Sequence, residues 1–182
     1  MSIDSDTFFK TERRAFAVEL RAVAKGRRLE GYAATFNSEA RFASFSETIR
    51  PGAFRKTLEA RADVLALLDH DSSKLLARTK SGTLRLAEDS KGLAFAIDLP
   101  DTSIGRDVLA LAERSDLGGM SFAFIPLDEH WSGDQRELRS VDLKEISVVS
   151  AWPAYERTEV SARSRPTIFP RAAVARRFLE SL

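Results

Sequence analysis

Met-Ser-Phe-Ala-Phe-Ile-Pro, residues 120–126, is the stretch that decides the fold class of this 182-residue chain. Its residues alternate in size and polarity, which predicts a strand with Phe122 and Phe124 on one face and Ser121 with Ala123 on the other. A polar excursion at 128–135 is expected to separate this strand from the next one. The central part of the chain therefore predicts a β protein.

Further strands and two helices flank this segment. Alternation and short apolar runs predict strands over 15–23, 29–36, 64–68, 83–87, 93–99 and 138–149. Amphipathic spacing predicts one helix over 53–62, and another from Thr102 or Ser103 to about 115 that ends at Gly118-Gly119. The first two strands, and the pair around 90–92, predict hairpins. The expected fold is mainly β (α+β), a closed or partly closed antiparallel β-barrel flanked by a few helices.

Composition excludes several classes of function. The 28 Lys and Arg nearly balance the 27 Asp and Glu, so a nucleic-acid partner is not expected. Cysteine is absent, which excludes disulfides, thiolate ligands and a cysteine nucleophile. No apolar run approaches the roughly 20 residues of a membrane span, and the start of the chain lacks the pattern of a secretion signal, so a cytoplasmic protein is expected. Neither a metal site nor a cofactor is predicted.

The chain is divided into a tail at 1–13, a domain at 14–162 and a basic tail at 163–182. The last segment contains five arginines against one glutamate, and prolines interrupt it at 166 and 170. Its end can form a helix. A solvated tail is one interpretation, and a docking or processing segment is the other.

Only two histidines are present to supply an imidazole. His70 ends the apolar run 64–68 and precedes a predicted turn at Asp71-Ser72-Ser73, so its ring can be half-buried with one nitrogen accessible. Alternation places it on the face of Leu68. His130 lies among charges and turn formers, where a solvated side chain is expected. The residues alone leave a structural role open for both histidines.

Ser121 follows a pair of glycines and opens its strand beside small residues, an arrangement with room for a substrate. Serine is a weak nucleophile until a base accepts its proton, and paired glycines let backbone amides approach an oxyanion. The alternative is a polar residue that merely begins a strand. The segment is not the G-x-S-x-G elbow of α/β-hydrolases.

Glu145 shares a predicted strand face with Leu143, Ser147 and Val149. An acid with apolar strand neighbours must face solvent or be paired. If it pairs with His70, it can fix the imidazole tautomer and stabilise the imidazolium, as the third member of a triad does. An exposed strand glutamate is the alternative.

Seven segments, taken in order, resemble the tailed-phage prohead protease family. They are GYAATF at 31–36, ETIRPGAF at 47–54, LLDHD at 67–71, GL at 92–93, GGMSFAF at 118–124, LKEISVV at 143–149, and PAY at 153–155 with Thr158. The resemblance spans about residues 29–163. Each segment is short, and the ordered set is what makes the resemblance specific.

The resemblance implies a serine endopeptidase with a fold similar to herpesvirus assemblin, in which Ser121 is the nucleophile, His70 the base and Glu145 the third member. It implies cleavage of the major capsid protein and its scaffold or delta segment inside the assembling prohead in the host cytoplasm. Self-cleavage in the tails and a homodimer are also expected. The alternatives are a catalytically inactive scaffold or capsid-binding module of the same fold, and a generic all-β binding domain.

Overall fold

The computed structural model describes residues 11–16, 21–23 and 27–150, which form eleven strands and two helices. The strands are β1 (Glu12–Phe16), β2 (Arg21–Val23), β3 (Arg28–Thr35), β4 (Glu39–Arg41), β5 (Ser46–Ile49), β6 (Leu65–Leu68), β7 (Asp71–Arg78), β8 (Leu84–Glu88), β9 (Gly92–Asp98), β10 (Gly119–Ser132) and β11 (Gln135–Val149), and the helices are α1 (Arg55–Glu59) and α2 (Ser103–Glu113). One sheet has the order β1-β10-β11-β5-β4, with β6 and β7 also attached through β11, and a smaller sheet has the order β2-β3-β9-β8.

The long hairpin of β10 and β11 is the centre of the larger sheet. Pairing continues from Gly119 opposite Val149 to Ser132 opposite Gln135, so the predicted polar excursion at 128–135 is wrong. The outer half of this ribbon exposes polar side chains to water while its main-chain groups stay paired, which an antiparallel pair permits. Polarity at 128–132 therefore marks a solvated strand and not a loop.

The larger sheet is mixed, because β5 and β6 both run parallel to β11, one beside each half of it. Helix α1 is the crossover between them, as parallel neighbours require. Thr57 of α1 bridges the gap on β11: its Oγ1 donates to Val141 O at 3.2 Å and accepts from Leu143 N at 3.0 Å. The predicted mainly β fold with a few helices is confirmed. The expected antiparallel pairing holds throughout the smaller sheet, but β5 and β6 depart from it in the larger one, and neither sheet closes on itself within the described residues.

The core lies on one face of the central hairpin. Phe122 and Phe124 are fully buried there, opposite Ile146 and Leu143 of β11. Phe54, just before α1, packs edge-on against Phe122 at 5.5 Å between ring centroids. Burial of each such side chain contributes roughly 1.5–3 kcal/mol, so the core face of this strand makes a substantial contribution to stability.

Of the two predicted hairpins, the structure contains the second in full and the first only in part. Strands β8 and β9 form the expected hairpin over 83–99. The predicted strand at 15–23 is instead two short strands in different sheets, because β1 pairs with β10 while β2 pairs with β3. Only the β2–β3 half of the first predicted hairpin is present.

Helix α2 begins as predicted, with the Thr102 hydroxyl accepting a hydrogen bond from Gly105 N at 3.2 Å. It ends earlier than the glycine pair suggests, at Glu113, and the left-handed residue that follows is Ser115, with φ 60°. Helix α1 is shorter than the predicted 53–62. The predicted turn at 71–73 is wrong, because those residues begin β7.

Strand β1 begins at Glu12, so the sheet includes the last two residues of the predicted N-terminal tail. Residues 1–10 and the predicted basic tail at 163–182 lie outside the described residues. Among the helices that the structure describes, none has the length and apolar character needed to cross a membrane.

Candidate active site

His70 lies in the two-residue turn that joins β6 to β7. Leu68 pairs with Asp71, and the intervening Asp69 and His70 have φ values of 52° and 59°. Two successive positive φ angles define a type I′ hairpin turn, and Asp and His tolerate this region better than most residues. Strand alternation stops at the turn. The prediction that His70 shares the face of Leu68 is therefore wrong.

Asp69 holds this turn against the end of β11. Its carboxylate accepts hydrogen bonds from Ser150 N at 2.8 Å and from Ser150 Oγ at 2.6 Å, and its own N–H donates to Val148 O at 2.9 Å. Asp69 was not among the predicted site residues. The one feature of the sequence that pointed to it was its position directly before His70.

His70 and Glu145 are in direct contact. Nδ1 of the ring donates to Oε1 of the carboxylate, and both side chains are mostly buried, with exposures of 19% and 12%. In the neutral ring this tautomer leaves Nε2 as the acceptor nitrogen. A carboxylate that orients an imidazole in this way is the arrangement found behind the general base of serine hydrolases. Arg13 Nε also approaches the carboxylate, at 3.9 Å, from a half-exposed position.

A β-bulge next to Glu145 decides which way it faces. Ala123 of β10 pairs with Glu145, but the next residue, Phe124, pairs with Leu143, so Lys144 is the extra residue. An inserted residue reverses alternation, and bulges often re-aim side chains at active sites. Leu143 consequently joins the core, and the prediction that it shares the face of Glu145 is wrong. Ser147 does share that face.

Ser121 is fixed between β1 and β11. It pairs with Ala15 on one side and with Ser147 on the other, and its side chain faces away from the buried Phe122, as alternation predicts. Its hydroxyl donates to the backbone carbonyl of Arg14 at 2.9 Å, and the residue is only 1% exposed. The expected room for a substrate is therefore absent in this conformation.

Ser147 lies between the three predicted site residues. Its register partners are Ser121 on β10 and Leu67 on β6, and Glu145 precedes it by two positions on the same face. The chain brings His70 and Glu145 together, and it places Ser121 one strand away from Ser147. Within the described ranges, no hydrogen bond joins the His70 ring to the Ser121 hydroxyl.

Arg14 belongs to a second polar group, which we call the ionic cluster: Glu12, Arg14, Glu47, Glu129 and Arg136. Its side chains come from β1, β5, β10 and β11. Arg14 contacts Glu47 through two nitrogens, at 2.6 and 2.8 Å, and Arg136 contacts Glu12 at 2.6 and 3.0 Å. All but Glu129 are 2–3% exposed at the side chain. No pattern in the sequence predicted this cluster, because charged residues are ordinarily expected at the surface.

The rest of the described chain offers no competing site for a metal, since no group of three His, Asp or Glu side chains within it has the arrangement to hold one. His130, the other histidine, is exposed on the outer part of β10, opposite Glu137. Its solvated side chain is as predicted, although it lies on a strand and not in a loop.

Comparisons with known proteins identify the family and a similar fold. A family model described as caudovirus prohead serine protease matches residues 16–168. The structure of the bacteriophage T4 capsid assembly protease has a similar fold, with a TM-score of 0.54 and 9% sequence identity over 78% of this chain and 97% of that chain. No curated protein matches. The resemblance inferred from the ordered segments is confirmed, and the chain belongs to the caudovirus prohead serine protease family.

Proposed function

We propose that this protein is a serine endopeptidase that cleaves capsid or scaffold protein during prohead maturation, with Ser121 as nucleophile, His70 as general base and Glu145 as the group that orients His70. The observation that carries the proposal is the contact between His70 and Glu145. Two residues 75 positions apart in the chain form the base-and-carboxylate half of a triad, one strand away from a serine on the same face.

The reaction follows from these positions. Oγ of Ser121 forms a bond to the carbonyl carbon of the scissile peptide, the C=O electron pair moves to the oxygen, and the hydroxyl proton passes to Nε2 of His70. The C–N bond then breaks, and His70 returns the proton to the leaving amine. A water molecule then attacks the acyl carbon while His70 accepts its proton. The ester C–O bond breaks, and His70 returns the proton to Oγ of Ser121. Glu145 keeps Nδ1 protonated and stabilises the imidazolium formed in between.

Attack requires Ser121 to turn. Its hydroxyl must leave the Arg14 carbonyl and point toward His70, and the covering groups must admit a peptide. Rotation about a single side-chain bond is fast, and apo active sites often tighten only when substrate binds. The nucleophile is therefore held in a resting arrangement in this structure.

The burial of Ser121 also favours a second candidate function. A hydroxyl that is 1% exposed and bonded to backbone is typical of a structural serine. A non-catalytic scaffold or capsid-binding module of the same fold would have this feature. Such a module has no need of the His70–Glu145 contact, which is why the protease is the better-supported function.

Co-expression with its candidate capsid protein substrate, followed by intact-mass analysis, tests the proposal. The wild-type chain is expected to trim the capsid protein and its own tails, whereas Ser121→Ala and His70→Ala lose both cleavages. His130→Ala is the matched control for His70→Ala and is expected to cleave normally. Trimming by Ser121→Ala would refute the nucleophile assignment, and no cleavage by any form would favour the binding module. Native mass spectrometry of the purified wild-type protein tests whether it is a homodimer.

A further inference from the structure

The hydroxyl of Ser147 is buried without a hydrogen-bond partner in the described part of the chain. Ser147 is fully buried on β11, where a side-chain hydroxyl left unpaired costs roughly 1–3 kcal/mol. Such groups are rare in folded proteins, and each calls for a reason. The location of Ser147 supplies one.

Ser147 is the cross-strand neighbour of Ser121. Directly opposed residues of an antiparallel pair have Cβ atoms about 4.5–5.5 Å apart and share a face, so the two hydroxyls lie within reach of each other through side-chain rotation alone. In the resting arrangement the Ser121 hydroxyl turns the other way, toward β1 and the Arg14 carbonyl. Ser147 is thus left unpaired by the same rotamer that keeps Ser121 from attacking.

Ser147 also lies between Ser121 and His70, because β11 is the strand between β10 and the β6–β7 turn. The turn that carries His70 is bonded to Val148 and Ser150, beyond Ser147, while the carboxylate that His70 contacts belongs to Glu145, before Ser147. The imidazole therefore reaches across the level of Ser147 on β11. A hydroxyl at this level can donate to Ser121 Oγ while Ser121 donates to His70.

We propose that Ser147 is a positioning residue for the proteolytic reaction, whose hydroxyl donates to Ser121 Oγ and holds it in the rotamer that faces His70. This inference rests on the proposed function. The hydrogen bond satisfies Ser147 only in the attack-ready arrangement, which offsets the loss of the Arg14 contact. It leaves a lone pair of Ser121 Oγ free for the substrate carbonyl, since a hydroxyl oxygen has two.

A fluorophosphonate tests the proposal without a known substrate. Labelling forms the Oγ–P bond of Ser121, expels fluoride and passes the hydroxyl proton to His70. Ser147→Ala is expected to lower the maximal labelling rate about ten- to hundredfold and to leave the half-saturating probe concentration unchanged. Ser147→Thr, which keeps the hydroxyl, is expected to label much faster than Ser147→Val, which has the same shape without it. This second pair of variants decides the question if Ser147→Ala does not fold.

Ser140→Ala is the matched control. Ser140 is also a buried serine of β11 whose hydroxyl is unpaired among the described residues, but it lies opposite Asp128, far along the hairpin from Ser121. It is expected to label at the wild-type rate. The midpoint of the labelling pH profile should be the same in Ser147→Ala and wild type, because the base is unchanged, whereas a general distortion of the site would move it.

The outcomes separate the two proposals. If Ser121→Ala abolishes labelling while Ser147→Ala and Ser147→Val label at the wild-type rate, the protease stands and the role of Ser147 is wrong. Equal losses of labelling in Ser140→Ala and Ser147→Ala would also overturn it. Such losses would mean that removing any buried hydroxyl from β11 slows labelling, wherever it lies. If the wild-type protein neither labels nor cleaves, both proposals fall together.

Discussion

The ionic cluster and the candidate active site are two buried polar groups that meet at Arg14 and differ in how completely they are paired. In the ionic cluster, the Arg14 guanidinium contacts two carboxylates and the Arg136 guanidinium contacts three. In the active site, His70 and Glu145 pair with each other, while the Ser147 hydroxyl has no partner within the described residues. Arg14 belongs to the first group through its side chain and holds Ser121 of the second through its carbonyl.

We therefore expect the ionic cluster to stabilise the fold, and the candidate active site to rearrange its hydrogen bonds. A fully paired network has no lower-energy arrangement nearby, so it fixes four strands relative to one another. An incompletely paired group can gain a hydrogen bond by changing its arrangement, and substrate binding can select the new one. Four predictions test this division, beginning with the largest expected effect.

Glu145→Gln is expected to lower the fluorophosphonate labelling rate of Ser121 by about 10²- to 10⁴-fold. The amide keeps the shape of the side chain but removes the charge that stabilises the imidazolium, and its NH₂ group can hold His70 in the wrong tautomer. Labelling kinetics with the folded variant measure the effect. Glu137→Gln is the control, because Glu137 lies on the same strand and pairs with the surface arginines 50 and 139, away from His70. Normal labelling of Glu145→Gln would remove Glu145 from the mechanism.

Arg136→Met is expected to lower the free energy of unfolding by about 3–5 kcal/mol, the usual consequence of removing one partner from a buried ion pair. The change leaves the carboxylates of Glu12 and Glu47 with Arg14 alone, and it removes the guanidinium that Glu129 contacts. Urea denaturation measures it.

The control for this variant is Arg139→Met, since Arg139 is 45% exposed and pairs with Glu137 at 3.0 Å. An exposed pair contributes at most about 1 kcal/mol, so the control should lose little stability. Equal losses in the two variants would mean that the ionic cluster has no special structural weight.

Acid is expected to weaken the ionic cluster through Glu12. Burial by itself raises the pKa of this carboxyl, but the hydrogen bonds and charges of Arg136 and Arg14 outweigh burial, and the net pKa lies below the ordinary value of 4.5. A group whose pKa is lower in the folded state binds protons more readily when unfolded. Its stabilising contribution is therefore complete above about pH 4.5 and is lost as the pH falls through the folded pKa.

Urea unfolding at several pH values between 7 and 3 checks this expectation. Glu12→Gln has no proton to gain at that position, so its free energy of unfolding should fall less steeply with acid than that of the wild type. The total effect is expected to be smaller than that of Arg136→Met, because only one carboxyl of the cluster is involved. Parallel slopes for the two proteins would contradict the assignment.

The sequence identified the family and the candidate residues, but not their geometry. The ordered segments that resemble the family single out Ser121, His70 and Glu145 as candidates, and the faces of 120–126 follow from alternation. The turn at His70 did not follow, because the left-handed conformations of two adjacent residues depend on the pairing of β6 with β7. That pairing was hidden, since β7 is an edge strand with exposed polar residues at its start.

Long-range pairs explain the other failures. Arg136 and Glu12 are 124 positions apart, so no local pattern links them. The bulge at Lys144 arises because β11 has one more residue than β10 at this point of the pairing. Neither strand shows this by itself. Ser147 was placed on the correct face by alternation, but its unpaired hydroxyl is visible only in three dimensions.

The smallest effect is expected from Arg13, which is adjacent to Arg14 but belongs to neither buried group. Arg13 is 52% exposed and 3.9 Å from the Glu145 carboxylate, so water and salt screen its charge. Arg13→Met is expected to change the Ser121 labelling rate by less than about fivefold, because an exposed pair is worth at most about 1 kcal/mol. Arg14→Met, by contrast, should lower the free energy of unfolding as Arg136→Met does, since the Arg14 side chain is 2% exposed among carboxylates. A large loss of labelling in Arg13→Met, with unfolding unchanged, would instead extend the active site to β1.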